Sequence, residues 1–173
     1  GFSVFVDTLQ PMQTETWIER TIIDQLTTHD RRYKHDYGRV EKTTDDLVSA
    51  CVKLDLITSR DEPGLPSIEQ FFAADADLEP EVETALESLE ERGLIERVGE
   101  RERLGPPLEP GDYGTTVLWG PTVDGRAEAT AIREAYSSEV EALAESHSTE
   151  SDEFKKQIVT LARTYGILPN YFG

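Results

Sequence analysis

Two His-Asp pairs are the first residues in this chain whose types and spacing suggest chemistry. His29-Asp30 and His35-Asp36 stand six positions apart, and a carboxylate beside an imidazole can fix its tautomer or hold it over a metal. Neither pair grows into a full set. The third histidine, His147, lies far along the chain, and Cys51 is the only cysteine. One cysteine excludes an intramolecular disulfide and any multi-cysteine metal cluster. No Walker loop, G-x-G-x-x-G, G-x-S-x-G or H-E-x-x-H run occurs, so phosphate-cradling, dinucleotide, serine-hydrolase and zinc-protease chemistry lack their usual residues. The expectation is a protein that is not an enzyme, with no catalytic residues, no metal and no cofactor.

Binding offers more material. Asp30 to Lys42 (DRRYKHDYGRVEK) holds Arg31, Arg32, Lys34, Arg39 and Lys42 with Tyr33 and Tyr37, a locally positive stretch able to bond phosphate or stack on bases. Arg97, Arg101 and Arg103 form a second group. Alternation along a strand would place them on one face. Two fates are open to these cations: contact with nucleic acid, or pairing with Glu96, Glu100, Glu102 and other acids on a solvated surface. A partner protein is a third candidate for the same surface.

The chain as a whole is strongly acidic, with 35 Asp and Glu against 17 Lys and Arg and a formal charge of −18. That excludes coating nucleic acid or an anionic membrane with the whole surface, so any such contact must be local. The basic residues comprise 12 Arg and 5 Lys, and Glu alone counts 22. This acid-rich, Lys-poor balance resembles proteins of extreme halophiles, whose carboxylates keep the surface hydrated in molar salt, where the Debye length falls to about 3 Å. On that resemblance the acidity reports on the solvent more than on a ligand. No apolar run approaches the roughly 18 residues that span a bilayer, and no basic then apolar leader opens the sequence. The reading is a soluble, cytoplasmic protein without a membrane partner.

The elements that must position these residues follow from apolar spacing. A 37% hydrophobic content over 173 residues suffices for one sizeable core and not for two large domains. Residues 14 to 28 read as a helix with Ile18, Ile22 and Leu26 on one face and Thr14 available as cap. A second helix begins at Thr43 or Thr44 and runs to about Ile57, burying Leu47, Cys51 and Leu54. Ser59 to Pro66 is a turn-rich connector. Ser67-Ile68-Glu69-Gln70 is an S-x-x-Q capping box opening a short helix that buries Ile68, Phe71 and Phe72 and stops within Ala74 to Leu78. Pro80 then suits the first position of a further helix, with Val82, Ala85, Leu86 and Leu89 inside and Gly93 as its stop. Leu94 to Arg103 and Thr115 to Trp119 read as two strands joined by the Pro- and Gly-rich loop 104–114. A long helix follows Thr122, a polar break covers Ser146 to Ser151, and a last amphipathic helix ends at Gly166. The long helix carries Ala129, Ile132, Tyr136, Val140 and Leu143 as an apolar stripe, which is either the seam of a homodimer or a surface folded back on the N-terminal helix.

Helix, turn, short helix, turn, helix and two strands is the order of a winged helix-turn-helix, and residues 67–98 (SIEQFFAADADLEPEVETALESLEERGLIERV) resemble that unit in MarR-like and PadR-like regulators. LEERGLIER is similar to the exit of the third helix into the wing, and LWGPTVDGRAEA (residues 118–129) looks like the family's strand ending before its "LTxxGR" helix start. The likeness covers roughly residues 44–129. It implies a mostly α fold with a small β-hairpin, divided as an N-terminal helix and basic loop (1–43), a winged-helix domain (44–125) and C-terminal helices (126–173) that commonly form a dimer. It implies DNA binding, as in a transcriptional regulator, through the outer face of the third helix, here Glu79, Glu81, Glu83, Thr84, Glu87, Ser88 and Glu91. Carboxylates stand where such a helix usually offers Arg, Lys, Asn or Gln. The expected DNA contacts therefore move to the wing, Arg97, Arg101 and Arg103, and to the loop, Arg31, Arg32, Lys34 and Arg39. A protein-binding winged helix, with the acidic helix as docking face and no DNA, is the alternative.

Overall fold

The computed structural model describes residues 12–28, 41–59, 67–103 and 111–168. The Arg31, Arg32, Lys34 and Arg39 stretch and both His-Asp pairs lie outside the described residues, as does the loop 104–110. The elements are α1 (Trp17–Thr27), β1 (Lys42–Thr43), α2 (Thr44–Thr58), α3 (Ile68–Glu91), β2 (Ile95–Glu102), β3 (Thr115–Pro121), α4 (Val123–Ser146) and α5 (Asp152–Tyr165). The described residues thus form five helices and one small antiparallel sheet of order β1-β3-β2.

Side-chain caps fix where the helices begin. Thr16 caps α1 by accepting from the Glu19 backbone N–H, while Thr14, the expected cap, bonds Glu128 instead. Thr43 and Asp46 form a reciprocal capping box on α2, and Ser67 and Gln70 form another on α3, each satisfying two otherwise orphaned N–H groups. Thr122 and Ser151 cap α4 and α5. Gly93 leaves α3 at φ 73° with Leu94 N–H donating to Leu89 O and Gly93 N–H to Glu90 O, both at 3.0 Å. That pair of bonds is a Schellman ending, which needs a left-handed residue at Gly93.

One expectation fails here. The segment read as two helices with a stop inside 74–78 is a single helix of 24 residues with Pro80 in its interior. Ala73, Ala74 and Ala76 favour helix, and nothing between them and Pro80 supplies a break other than the ring itself. Proline removes only the bond to the Ala76 carbonyl, and Pro80 is exposed, so water can satisfy that oxygen. Phe72, expected on a buried face, is 67% exposed while Phe71 packs partly against the core.

A single hydrophobic cluster draws on every helix: Ile22, Ile23 and Leu26 from α1, Val52 from α2, Leu89 from α3, Ile132 from α4, with Tyr165 and Ile167 at the end of α5. Cys51 is fully buried in it, as its helical position suggests. Burial, helped by Asp55, pushes the Cys51 thiol up to about 12, so it stays protonated and inert. Ala129 and Ile132 of the apolar stripe are buried in this core of the chain itself. They are therefore not available to a second copy. Tyr136 stacks edge-on against Tyr165, and Val140 and Leu143 are half-buried.

Polar contacts around α1 bind the other helices to it. Arg92, at the end of α3, meets Glu19 at 2.7 Å and donates to the Gln13 carbonyl at 2.7 Å. Arg133 of α4 pairs with buried Asp24 at 2.5 Å. Burial holds the Asp24 carboxyl above the usual range against the opposing pull of Arg133. Arg20 donates to the Thr164 carbonyl of α5 at 2.8 Å. The buried Glu128 carboxylate accepts from Gln13 N–H, Thr14 N–H and the Thr14 hydroxyl at 2.6–2.9 Å, which meets the requirement that a buried charge be hydrogen-bonded.

Candidate nucleic-acid interface

The hairpin and the outer face of α3 are the surfaces on which the binding residues must be found. β2 pairs with β3 from Ile95↔Pro121 to Glu102↔Thr115, with a register shift between Arg97 and Gly99. The base of the hairpin is anchored: Trp119 is buried and its indole N–H donates to the Thr44 hydroxyl at 2.9 Å. Leu118 and Thr116 are buried as well. From Glu96 to Arg103 every residue is exposed, as are Gly111 to Thr115, so the hairpin projects beyond the core.

The register shift decides where the arginines point. Directly paired residues of an antiparallel ladder lie on the same face. Arg97 pairs with Trp119, whereas Arg101 pairs with Thr116, which is on the opposite face of β3 from Trp119. Val98 is the additional residue, and a bulge of this kind reverses the alternation beyond it. The expectation that Arg97, Arg101 and Arg103 share one face is therefore wrong. Arg97 lies across the Trp119 ring with its guanidinium carbon 5.1 Å from the ring centre, and Arg101 belongs to the other face.

Two of the three wing arginines have carboxylate partners, and these are not the neighbouring glutamates of β2. Arg97 donates to Glu90, in the last turn of α3, at 3.0 Å. Arg103 makes a two-pronged contact with Asp45 in the first turn of α2, at 3.1 and 3.3 Å. All four groups are at least a third exposed, so each pair contributes little to stability, but each reduces the local positive charge. Arg101 is exposed and has no ion-pair partner among the described residues. Lys42, the one residue of the basic stretch's cations that is described, contacts the Gln25 side-chain carbonyl at 3.4 Å. The described cations thus do not converge on one surface.

The α3 face is where the sequence places it. Glu81, Glu83, Thr84, Glu87 and Glu91 are exposed, Glu79 and Ser88 half-buried, and the Thr84 hydroxyl is turned back to the Pro80 carbonyl at 3.0 Å. Arg92 is directed inward to Glu19, so it adds no charge to this face. Asp75 marks the density of acid here: burial first, then Glu79 and Asp45, hold its carboxyl above the usual range.

A second motif finds its physical basis at the foot of the hairpin. The Thr122 hydroxyl donates to Gly93 O at 2.6 Å and Thr122 N–H to Leu94 O at 3.2 Å. A Cβ at Gly125 would lie 2.0 Å from Leu94 O. Gly93-Leu94 and Thr122 to Gly125, distant in sequence, therefore meet as one joint in which only glycine fits.

Among the described residues no group of three or more His, Cys, Asp and Glu is arranged to hold a metal ion. No described helix is long and apolar enough to cross a membrane. No family model, curated protein or solved structure matches the chain. The partners Asp45 and Glu90 were absent from the sequence reading; Glu90 lies just ahead of the Gly93 turn that folds Arg97 back toward it, a weak signal, whereas Asp45 is 58 positions from Arg103 and gives none.

Proposed function

We propose that the chain is a winged-helix DNA-binding protein, a transcriptional regulator of haloarchaeal type, that meets the duplex with its hairpin and not with its third helix. The observation that carries this reading is the layout: α2 and α3 packed on a β1-β3-β2 sheet whose β2-β3 hairpin projects, exposed, past the core. In that layout α2 takes the positioning role and the second half of α3, from Pro80 to Glu91, takes the place of the major-groove helix. The Gly93-Leu94 joint with Thr122 and Gly125 supports the resemblance, because it gives two separated pieces of the family pattern one shared structural cause. Contact would begin at Arg101, with Arg103 and Arg97 available once phosphate competes for them with Asp45 and Glu90.

A second reading is favoured by a different observation, the carboxylate-rich face of α3 with Arg92 drawn inward. In it the winged helix docks a basic protein surface through Glu81, Glu83, Glu87 and Glu91 and binds no DNA. Retention of random and genomic DNA fragments, measured from low salt to about 2 M KCl, separates the two. Retention that declines as salt rises supports the regulator; no retention at any salt where the chain stays folded rejects it and leaves the docking reading.

A further inference from the structure

In the order β1-β3-β2 one side of β2 pairs with β3 and, among the described residues, no strand lies on the other. Every residue from Glu96 to Glu102 is exposed. Such an edge presents unpaired N–H and C=O groups to any strand that can match it. Two bonds fix which residues present them: Thr122 N–H donates to Leu94 O at 3.2 Å, and Arg103 N–H to Gly114 O at 2.9 Å. Leu94 and Arg103 therefore turn their backbone groups toward β3. Alternation from these two ends, in step with the pairing on either side of Val98, leaves Ile95, Arg97, Glu100 and Glu102 directed to the open side.

Charge and facing then select the strand that fits. The edge reads Glu96-Arg97-Val98-Gly99-Glu100-Arg101, and laid antiparallel on a copy of itself, with the two-fold axis between Val98 and Gly99, it sets Glu96 opposite Arg101 and Arg97 opposite Glu100. The symmetry makes each of these contacts twice. Directly opposed residues must share a face, and in a regular strand residues an odd number of positions apart never do. The additional residue at Val98 removes that obstacle: Arg97 and Glu100 share the face of Trp119 and Val117, while Glu96 and Arg101 share that of Gly120 and Thr116. Backbone direction agrees, because Arg97 and Glu100 both point to the open side. A shift of one position opposes Arg97 with Arg101 or Glu96 with Glu100, like charges on unlike faces.

The charged groups have capacity to spare. Glu96, Glu100 and Arg101 have no ion-pair partner among the described residues, and Arg97 donates to Glu90 through Nε alone, which leaves its two terminal nitrogens. We propose that two copies of the chain join along β2 in this register, forming one continuous sheet from their two three-stranded sheets. The pairing does not rest on the DNA reading, although a duplex would compete for Arg101. An edge of eight residues makes a small interface, so association is expected only toward about 0.1 mM and above.

The test is the mass of the full chain without nucleic acid, followed by sedimentation from about 10 μM to about 1 mM at about 0.15 M and about 1 M KCl, with folding checked by circular dichroism. The parent should pass from monomer to dimer. Glu96→Arg sets like charges against Arg101, and Arg101→Glu sets them against Glu96, so each variant alone should associate at least about tenfold more weakly. Mixed in equal amounts, the two variants regain unlike pairs and should form a heterodimer about as tight as the parent dimer. Glu100→Pro removes an N–H on the open side and leaves the bonds to β3; it should also abolish the dimer, and it keeps the test valid if a charge reversal unfolds the chain. A parent that stays monomeric to about 1 mM, a dimer indifferent to Glu96→Arg and to Glu100→Pro, or a mixture that associates no better than its components would each overturn the proposal.

Discussion

The surroundings of α1 and the hairpin use the same side chains for opposite ends. Around α1, Arg92 and Arg133 reach the buried carboxylates of Glu19 and Asp24, Arg20 reaches the Thr164 carbonyl, and each contact ties another helix to α1. On the hairpin, Arg97 and Arg103 meet exposed carboxylates and Arg101 meets none among the described residues. The lesson concerns a chain with few cations. Its arginines near α1 act as structural links, whereas those on the hairpin stay at the surface. Acidity of the α3 face follows from the same distribution, because the nearest cation, Arg92, is drawn to the interior.

Glycines offer the sharpest way to break this comparison. Gly166 and Gly114 have similar positive φ, 65° and 79°, but a Cβ at Gly166 would come within 2.4 Å of the Thr21 backbone nitrogen while one at Gly114 meets nothing within 4 Å. Both alanine variants incur the left-handed penalty of about 1–2 kcal/mol. Gly166→Ala must also push α5 off α1, so its loss of stability in denaturant should exceed that of Gly114→Ala by about 2 kcal/mol or more. Equal losses would mean that α5 is not seated on α1. Next in size is Arg92→Met, which keeps the stem but leaves Glu19 and the Gln13 carbonyl without their partner; a loss of about 1–3 kcal/mol is expected. Arg97→Met on the hairpin, by contrast, should change stability by less than about 1 kcal/mol.

The smallest effect is a pH dependence. Asp75 titrates above its ordinary value in the folded chain because of burial and the charges of Glu79 and Asp45. The folded state therefore holds this proton more tightly than the unfolded one, and the group's contribution to stability rises as pH falls toward and through its raised folded value. Asp75→Asn should melt slightly higher than the parent at pH 7, with the difference shrinking as the pH is lowered into the carboxylate range. A difference that grows on acidification would contradict the assigned sign.

Much of the fold was legible in the sequence because caps and apolar spacing are local signals. Thr43, Ser67, Thr122, Gly93 and Gly166 mark helix ends in the structure as their residue types suggest. Pro80 misled, because its preference for a first helical turn is outweighed by a helix-favouring run on both sides and by its exposure to water. The strand β1 is only Lys42–Thr43, too short for any alternation to register. The candidate site was less legible for a different reason. A single additional residue at Val98 reverses the facing of Arg101 and Arg103 relative to Arg97, and the pairs Arg103 with Asp45 and Arg92 with Glu19 join residues remote in sequence. Strand periodicity contains neither fact.

The central claim is that any duplex contact runs through the hairpin and not through the acidic helix. The most direct test is to measure DNA affinity against salt for the parent, for Arg101→Ala with Arg103→Ala, and for Glu83→Ala with Glu87→Ala. We expect the arginine pair to weaken binding about equally across sequences and to reduce the slope of log affinity against log salt by about 2, while the glutamate pair leaves binding unchanged or tighter. Loss of sequence-specific binding in the glutamate variant, with the arginine variant unaffected, would contradict the account and return the contact to α3, where carboxylates would accept from cytosine amino groups.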